Sequence, residues 1–377
     1  MSKPAILALA DGSVFHGTAI GAEGHVLGEV VFTTAMSGYQ ELLTNPAAAG
    51  QLLAFTYPHI GNSGINDQDG ESERIQAAGL IIRDLPLIAS NWRSNQSLQD
   101  YLLANNCVAI ADIDTRRLTR ILRDKGTQAG CILAGADATE QQALELARGY
   151  ALDATRNPVA DVTTAKSYNW TEAPWELATN SHAQVPAEQL PHRVTVYDFG
   201  VSRSLLRDLV AKGCNLTVVP ADTPAAEVLA SKPQGVVLSG GPGAAGDCQQ
   251  AVTTAQQLLE ADVPLLGVGL GHQLLALACG AQIKRLPVAR VGVNYPVKDL
   301  ASDQTMISSQ HHSFVVDADS LPASLKLTHV SLPDNGVQGI EVNGKPAIGF
   351  QGVPHLSAEP NTSSAFYDRF IALLQQA

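Results

Sequence analysis

The residues best placed by type and spacing to do chemistry lie in the run Gly267-Val268-Gly269-Leu270-Gly271-His272-Gln273. It follows an apolar strand candidate, Pro264 to Val268, and leads into an apolar helix candidate, Leu274 to Cys279. A strand, a Gly-x-nucleophile-x-Gly turn and a helix make a nucleophile elbow. The sharp turn lifts the central side chain out of the sheet, and the helix N-terminus behind it supplies backbone N–H groups. Flanking glycines are needed because the backbone is tight there. In this chain the centre of the elbow is Gly269, which has no side chain with which to attack anything. A second glycine turn, Ser239-Gly240-Gly241-Pro242-Gly243, lies upstream, and imidazoles follow at His311, His312 and His355.

The elements that must position these residues are strands alternating with helices. From Arg193 the pattern predicts strands over Arg193 to Tyr197, Leu216 to Val219, Gly235 to Leu238 and Pro264 to Val268. Helices are expected over Ser202 to Lys212 and Gln249 to Glu260. This is α/β organisation with a mostly parallel sheet flanked by helices, whose ligands belong at the carboxyl ends of the strands. The first part of the chain, residues 1–150, reads instead as a β-rich domain. Ala5 to Ala10 meets the tight turn Asp11-Gly12 and Ser13 to His16 starts the return strand. Further strands are expected at Gly28 to Thr33, Gln51 to Thr56 and Ala78 to Ile82. Helices are signalled at Ser97 to Asn105 and at Thr115 to Arg123, the latter with Asp114 as N-cap and Gly126 beyond its end. Residues 151–192 carry Pro158, Pro174, Pro186 and Pro191 among Thr, Asn, Ser and Glu without a sustained period. They read as a linker to a second domain, 193–377.

Composition bounds the function classes. The chain has 377 residues, 45% hydrophobic and 16% charged, which suits a soluble globular chain of two or three domains with cores of their own. With 36 acidic and 24 basic residues the net charge is -12, so a phosphate backbone is repelled unless a basic face is concentrated locally. Only the short run Arg116, Arg117, Arg120, Arg123, Lys125 offers one, and no nucleic-acid role is expected. Five cysteines, Cys107, Cys131, Cys214, Cys248 and Cys279, form an odd set with no CxxC pair, which argues for reduced thiols in a cytoplasm. No basic segment followed by a long apolar run opens the chain, and no stretch reaches about 18 apolar residues, so neither a signal peptide nor a membrane span is expected.

The elbow run, with Ser-x-Gly-Pro-Gly upstream, is similar to the class I, triad-type glutamine amidotransferases, whose central residue is Cys. Gly28-Glu29-Val30-Val31-Phe32, Ser37-Gly38-Tyr39-Gln40-Glu41, Tyr57-Pro58-His59-Ile60-Gly61-Asn62, Gly79 to Asn91 and Ala109 to Arg120 resemble the N-terminal domain of carbamoyl phosphate synthetase small subunits. The likeness runs nearly end to end, apart from the stretch around 137 to 192. It implies a subunit that hydrolyses glutamine and sends ammonia through a tunnel to a large ATP-grasp subunit. That subunit, not this chain, would hold ATP and Mg. The implied mechanism is a Cys thiolate activated by a His that a Glu orients.

Set against that requirement, the nucleophile position holds Gly269, and the Phe-Gln-Gly-His-Pro-Glu stretch of the family is similar to Phe350-Gln351-Gly352-Val353-Pro354-His355 here. Val353 therefore stands where the resemblance implies the base, and His355 where it implies the orienting Glu. Where the family typically has Ser, Lys, Asn and Gly for glutamine, this chain has Ala47, Ser202, His311 and Ser313. Gly241, Gly243, Gln273, His312 and Phe314 are retained, and the amides of Gly241 and Leu270 would be the former oxyanion hole. The run after the elbow helix has become Ala289-Arg290-Val291-Gly292-Val293-Asn294-Tyr295.

Each sharp reading has a bland one beside it. One engineered Cys change would leave 353 and 355 intact, so the pattern reads as natural divergence, and Gly relieves the strain that a nucleophile bears at an elbow. Cys248 and Cys279 read as small packed hydrophobes rather than substitute nucleophiles. His311, His312 and His355, with His272, lack a known metal-ligand spacing and read as hydrogen-bonded histidines, with no metal. Arg290 is a candidate anion ligand of a remodelled pocket, or a solvated surface arginine. The Gly240, Gly241, Gly243 turn lacks the Lys-Ser/Thr tail of a phosphate-binding loop. His59 and Asn62 read as loop hydrogen-bonders, and the Arg116 to Arg123 helix as a partner contact or a solvated basic face. The leading expectation is a glutaminase-dead small subunit that docks on a large subunit. The alternative is a regulatory pseudoenzyme whose altered pocket binds another small molecule.

Overall fold

The computed structural model describes residues 3–152, 157–355 and 364–376. The chain forms two compact units, the first built from the described residues up to 152 together with Pro287–Gly292, the second from the remainder.

The first unit is a closed seven-stranded barrel. Its strands are β1 (Lys3–Leu9), β2 (Val14–Ala19), β3 (Gly24–Thr33), β4 (Gln51–Phe55), β5 (Gly79–Ile81), β6 (Val108–Ala111) and β7 (Gln128–Ala134), and they close in the order β1-β2-β6-β5-β4-β3-β7. The β1–β2 hairpin turns at Gly12, whose φ of 95° favours glycine, and the Asp11 carboxylate accepts from the Ser13 amide at 2.9 Å. Helices α1 (Tyr39–Thr44), α2 (Leu98–Ala104), α3 (Thr115–Lys125) and α4 (Glu140–Gly149) pack around it. The Asp114 carboxylate caps α3 by accepting from the Arg117 amide at 2.8 Å, and the helix stops at Gly126, φ 82°. Leu118 and Leu122, one turn apart, bury its apolar face in a cluster with Leu7, Leu52, Ile110 and Ile132.

The second unit carries a ten-stranded sheet. Its elements begin with α5 (Val159–Val162), β8 (Tyr168–Trp170) and the ribbon β9 (Glu172–Glu176) and β10 (Ser181–Gln184). The α/β core follows: β11 (His192–Asp198), α6 (Arg203–Ala211), β12 (Cys214–Pro220), α7 (Ala225–Ala230), β13 (Gly235–Leu238), α8 (Gln249–Glu260), β14 (Leu265–Val268) and α9 (Leu270–Ala278). Then come β15 (Ile283–Asp299), β16 (Thr305–Val316), β17 (Leu325–Ser331), β18 (Val337–Val342), β19 (Ala347–Phe350) and α10 (Ala365–Gln376). The strand order is β16-β15-β17-β18-β19-β14-β13-β11-β12-β8. The five central strands from β12 to β19 pair in parallel, as the near-continuous apolar runs of strands covered on both faces require. β17 and β18 extend them as an antiparallel arm, so the parallel character belongs to the centre of the sheet.

Helices cover both faces. Leu205, Leu206 and Leu209 of α6 pack with Phe366 and Phe370 of α10 on one side. Leu258 of α8 and Leu274 and Leu275 of α9 pack on the other. Strand β11 has β12 on one side and β13 on the other, with its following helix α6 on one face and α8 on the opposite one. The crevice beyond the carboxyl ends of β11 and β13 is therefore the switch point at which open α/β sheets bind ligands.

The segment 151–192, expected as a linker, is not one. From residue 157 onward it belongs to the second unit and carries α5, β8, β9 and β10. Strand β8 is an edge of the large sheet, with Trp170 opposite Leu216 and Tyr168 opposite Val218 of β12. Three residues held by cross-strand partners remote in sequence leave no periodic signal. The boundary between the two units accordingly falls between residues 152 and 157 rather than at 192.

Candidate functional site

The elbow forms where the sequence places it. Gly269 sits at the N-cap of α9 with φ 56° and ψ −111°, a backbone region that L side chains rarely adopt. Its amide donates to the Phe350 carbonyl at 2.9 Å, and the Gln273 amide donates to the Gly269 carbonyl at 3.3 Å. The two flanking glycines are required by contact. A Cβ on Gly271 would lie 2.0 Å from the Leu238 carbonyl oxygen, and one on Gly267 would lie 2.6 Å from the Gly271 carbonyl oxygen. At Gly269 itself a Cβ would meet only the Gly240 Cα at 3.4 Å and the Gln351 carbonyl at 3.9 Å, so the apex has room for a side chain.

The second glycine turn is held beside the apex by hydrogen bonds that its sequence does not announce. Ser239, fully buried, accepts from the Phe199 amide at 3.0 Å and donates to the Gly240 carbonyl at 2.9 Å. The Gly271 amide donates to the Ser239 carbonyl at 3.0 Å. Gly241 admits no side chain, because its Cβ would fall 2.1 Å from the Phe199 carbonyl and 3.1 Å from a Leu270 methyl. Gly243 has φ 82° and faces Pro158. Buried Asp198, at the end of β11, accepts from the amides of Gly200, Val201 and Thr164 at 2.8–3.0 Å. Desolvation raises its pKa, against the pull of those donors. It ties the loop that carries Ser202, which stands half-buried at the N-cap of α6 and accepts from the Ser204 hydroxyl at 3.3 Å.

Strand β16 and the segment after β19 meet at the same end. The Val353 amide donates to the Ser309 carbonyl at 2.9 Å, and the His355 Nε2 lies 3.0 Å from the Ser309 hydroxyl. Alternation along β16 puts His311 and Ser313 on the Ser309 face and His312 and Phe314 on the other. Four imidazoles therefore do not converge: His272 is buried without exposure in α9, next to Gly349. Among the described residues no group of three or more His, Cys, Asp or Glu side chains could hold a metal ion. Burial lowers the pKa of His272 to about 3 and that of His311 to about 4, which keeps both neutral at physiological pH.

Gln273 links α9 to this strand. Its Nε2 donates to the Phe314 carbonyl at 2.9 Å and to the Gln351 Oε1 at 3.3 Å. The Arg285 guanidinium lies 5.4 Å from the centre of the Phe314 ring. A further buried pair, Gln310 and Gln338, is joined by a 2.7 Å hydrogen bond, and Gln310 also donates to Ser308. Sequence reasoning missed this cluster, which polar residues at inward-facing strand positions could have marked. Ala47 and Arg290 belong to the first unit. Ala47 is half-buried in a 3₁₀ turn, its amide donating to the Asn45 carboxamide at 2.9 Å, and Arg290 is half-buried in β15.

No cysteine stands at the apex. Cys248 is buried at the N-cap of α8 and Cys279 caps the far end of α9. Burial pushes both up to about 11, so both stay protonated at neutral pH. Chemically the site offers a helix N-terminus, two glycine turns rich in amides and neutral imidazoles, without a nucleophile at its apex.

Comparison with known proteins agrees with this architecture. Residues 7–132 match the family described as carbamoyl-phosphate synthase small chain, CPSase domain, and residues 195–373 match glutamine amidotransferase class-I. The chain is 56% identical over 376 residues to the carbamoyl phosphate synthase small chain of Pseudomonas aeruginosa, covering 100% of both. It is 51% identical to that of Pasteurella multocida, covering 100% of this chain and 97% of the relative. A crystal structure of a glutamine amidotransferase from Thermotoga maritima is similar over 49% of this chain and 83% of its own, at 18% identity and a TM-score of 0.36. No helix among the described residues is long and apolar enough to cross a membrane. By full-length identity and by both matched domains in order, the chain belongs to the carbamoyl phosphate synthase small chain family.

Proposed function

We propose that this chain is a small subunit without glutaminase activity, which docks on a large ATP-grasp subunit and leaves that subunit to draw on free ammonia or another amine. ATP and Mg would be held by the large subunit. The observation that carries the reading is Gly269, which occupies the apex of an otherwise complete elbow with no side chain to form a thioester. Val353 has no proton to exchange where the resemblance implies a base, and His355 hydrogen-bonds Ser309 instead of orienting one. Loss of a triad nucleophile or base alone costs on the order of 10⁶ in turnover, and triad members act as a unit, so oxyanion stabilisation from the Gly241 and Leu270 amides leaves no useful activity. Glutamine hydrolysis measured with and without the large subunit tests the reading. Turnover comparable to that of a relative with an intact triad would overturn it, as would failure to bind the large subunit.

A second reading, a pocket rebuilt for another small molecule, draws support from the face shared by Ser309, His311 and Ser313, where His355 is hydrogen-bonded in place rather than left as a random replacement. A ligand that raises the melting temperature of the full chain, and loses that effect in His311→Ala or His355→Ala, would favour it over the first.

A further inference from the structure

The chain carries 12 more acidic than basic residues, yet five of its 24 cations lie within the eleven residues of α3. Three of the five are occupied. The Arg117 guanidinium donates to the Val14 carbonyl at 3.3 Å and covers the Phe15 ring at 4.5 Å. Arg123 pairs with Asp124 at 2.8 Å, and Lys125 with Asp11 at 2.7 Å. Arg116 and Arg120 are different: both are exposed, and neither has a carboxylate within ion-pair distance among the described residues. At i and i+4 they share one helix face, where like charges oppose each other. They line a surface cavity of about 320 Å³ with Asp114, Ile121 and Asp124.

We propose that this face of α3 is the docking surface for a carboxylate-rich segment of the large subunit, with Arg116 and Arg120 as its two anchors. The proposal rests on the reading of the chain as a docking small subunit. Charge complementarity selects the occupant: planar guanidiniums take carboxylates in bidentate pairs, and burying them against a partner removes the repulsion between them. An extended polyanion is a poor occupant, since its length would meet the surrounding negative field of a chain at -12. A short acidic protein segment engages only the local patch. Asp114 and Asp124 also line the cavity and would repel a carboxylate segment placed out of register.

The test is the affinity of the full chain for the large subunit of the same source, measured at about 0.05 M and about 0.5 M salt. The variants are Arg116→Gln/Arg120→Gln and Arg116→Glu/Arg120→Glu, with Arg123→Gln as the control at an already paired cation. The neutral variant should bind about tenfold more weakly at low salt and the reversed one weaker still, with the gap closing at high salt and the control unchanged. Unchanged melting of the neutral variant separates docking from folding. Wild-type binding that both double variants match at every salt overturns this proposal alone. No binding by the wild-type chain overturns it together with the reading on which it rests. Salt-sensitive binding of a short RNA that depends on the same two arginines, with assembly unaffected, assigns the surface to nucleic acid and also overturns it.

Discussion

The Gly269 amide donates to the Phe350 carbonyl at 2.9 Å, which pins the apex of the elbow to the end of β19, the strand paired with β14 on the other side of the turn. The peptide chain is thus held in the elbow conformation by its neighbours, whatever side chain stands at 269. A site with glycine at its apex keeps the elbow shape because the strand pair and the two flanking glycines set that shape.

Placing alanine at Gly269 should separate backbone strain from crowding. The new Cβ finds 3.4 Å and 3.9 Å contacts, which are ordinary, but φ 56° with ψ −111° is a conformation that glycine alone adopts freely. Gly269→Ala should therefore cost about 1–3 kcal/mol in a urea denaturation series with little change in the slope. A change below about 0.5 kcal/mol would mean that the turn relaxes away from the geometry described above.

Gly271→Ala should be far worse than Gly269→Ala, although the two positions are two residues apart. Its Cβ would lie 2.0 Å from the Leu238 carbonyl oxygen, a backbone atom at the carboxyl end of β13 that no rotamer can avoid. The expected loss exceeds about 4 kcal/mol, seen as a failure to recover soluble folded protein. Equal stability of the two variants would show that the collision at Gly271 relaxes as readily as the strain at Gly269.

Much of this was legible before the structure. The elbow was readable because strand, glycine turn and helix are local patterns, and β13 and α8 fall on the expected residues for the same reason. The α3 helix was marked by Asp114 at one end and Gly126 at the other. What escaped depends on contacts between distant residues. β8 exists because Trp170, Asn169 and Tyr168 find β12 some 48 residues later in the chain. β7 closes the barrel by pairing with both β1 and β3. The alternation that separates His311 from His312 was in the sequence, since a strand turns successive side chains to opposite faces. Asp198 left no motif, because a buried hydrogen-bonding residue looks like any other polar residue until its donors are known, and the Ser-x-Gly-Pro-Gly run marked Ser239 without showing that its hydroxyl anchors the turn.

The buried histidines should make the fold acid-sensitive well above the carboxylate range. His272 is held down to about 3, His311 and His329 to about 4, in each case chiefly by burial. The unfolded chain takes up protons near pH 6.5, where the folded chain does not, so stability is full above about 6.5 and is lost as pH falls toward 3–4. The slope in that window should reach about 1.4 kcal/mol per pH unit for each such histidine. His272→Gln should remove one histidine's share of the slope in denaturation series at pH 7 and 5. An unchanged slope would place that imidazole in water.

Glu41 should work in the opposite direction. Desolvation, with Asp69 and Glu71 nearby, raises its pKa to about 7, so the folded chain holds a proton that the unfolded chain has released above about 4.5. Its contribution is present at low pH and is lost as pH rises through about 7. Glu41→Gln, which copies the protonated form, should match the parent near pH 4.5 and exceed it in melting temperature at pH 8. A variant less stable than the parent at pH 8 would show that the carboxylate is ionised and paired in the folded state.

Thiol chemistry gives the most direct reading of the apex. Burial raises the thiols of Cys107 and Cys214 to about 12 and those of Cys131, Cys248 and Cys279 to about 11, so the native chain should resist alkylation by iodoacetamide at neutral pH. Gly269→Cys would place a sixth thiol at the N-terminus of the nine-residue helix α9, where the helix dipole and free amides favour a thiolate. That variant should take up one label rapidly under native conditions and still fail to hydrolyse glutamine, because position 353 carries valine. Adding Val353→His and His355→Glu should bring glutamine turnover above the background of the single variant. If Gly269→Cys alone turned over glutamine at the rate of the triple variant, the base would have to come from another residue of this site. The neutral imidazole of His311 would then be the first to replace.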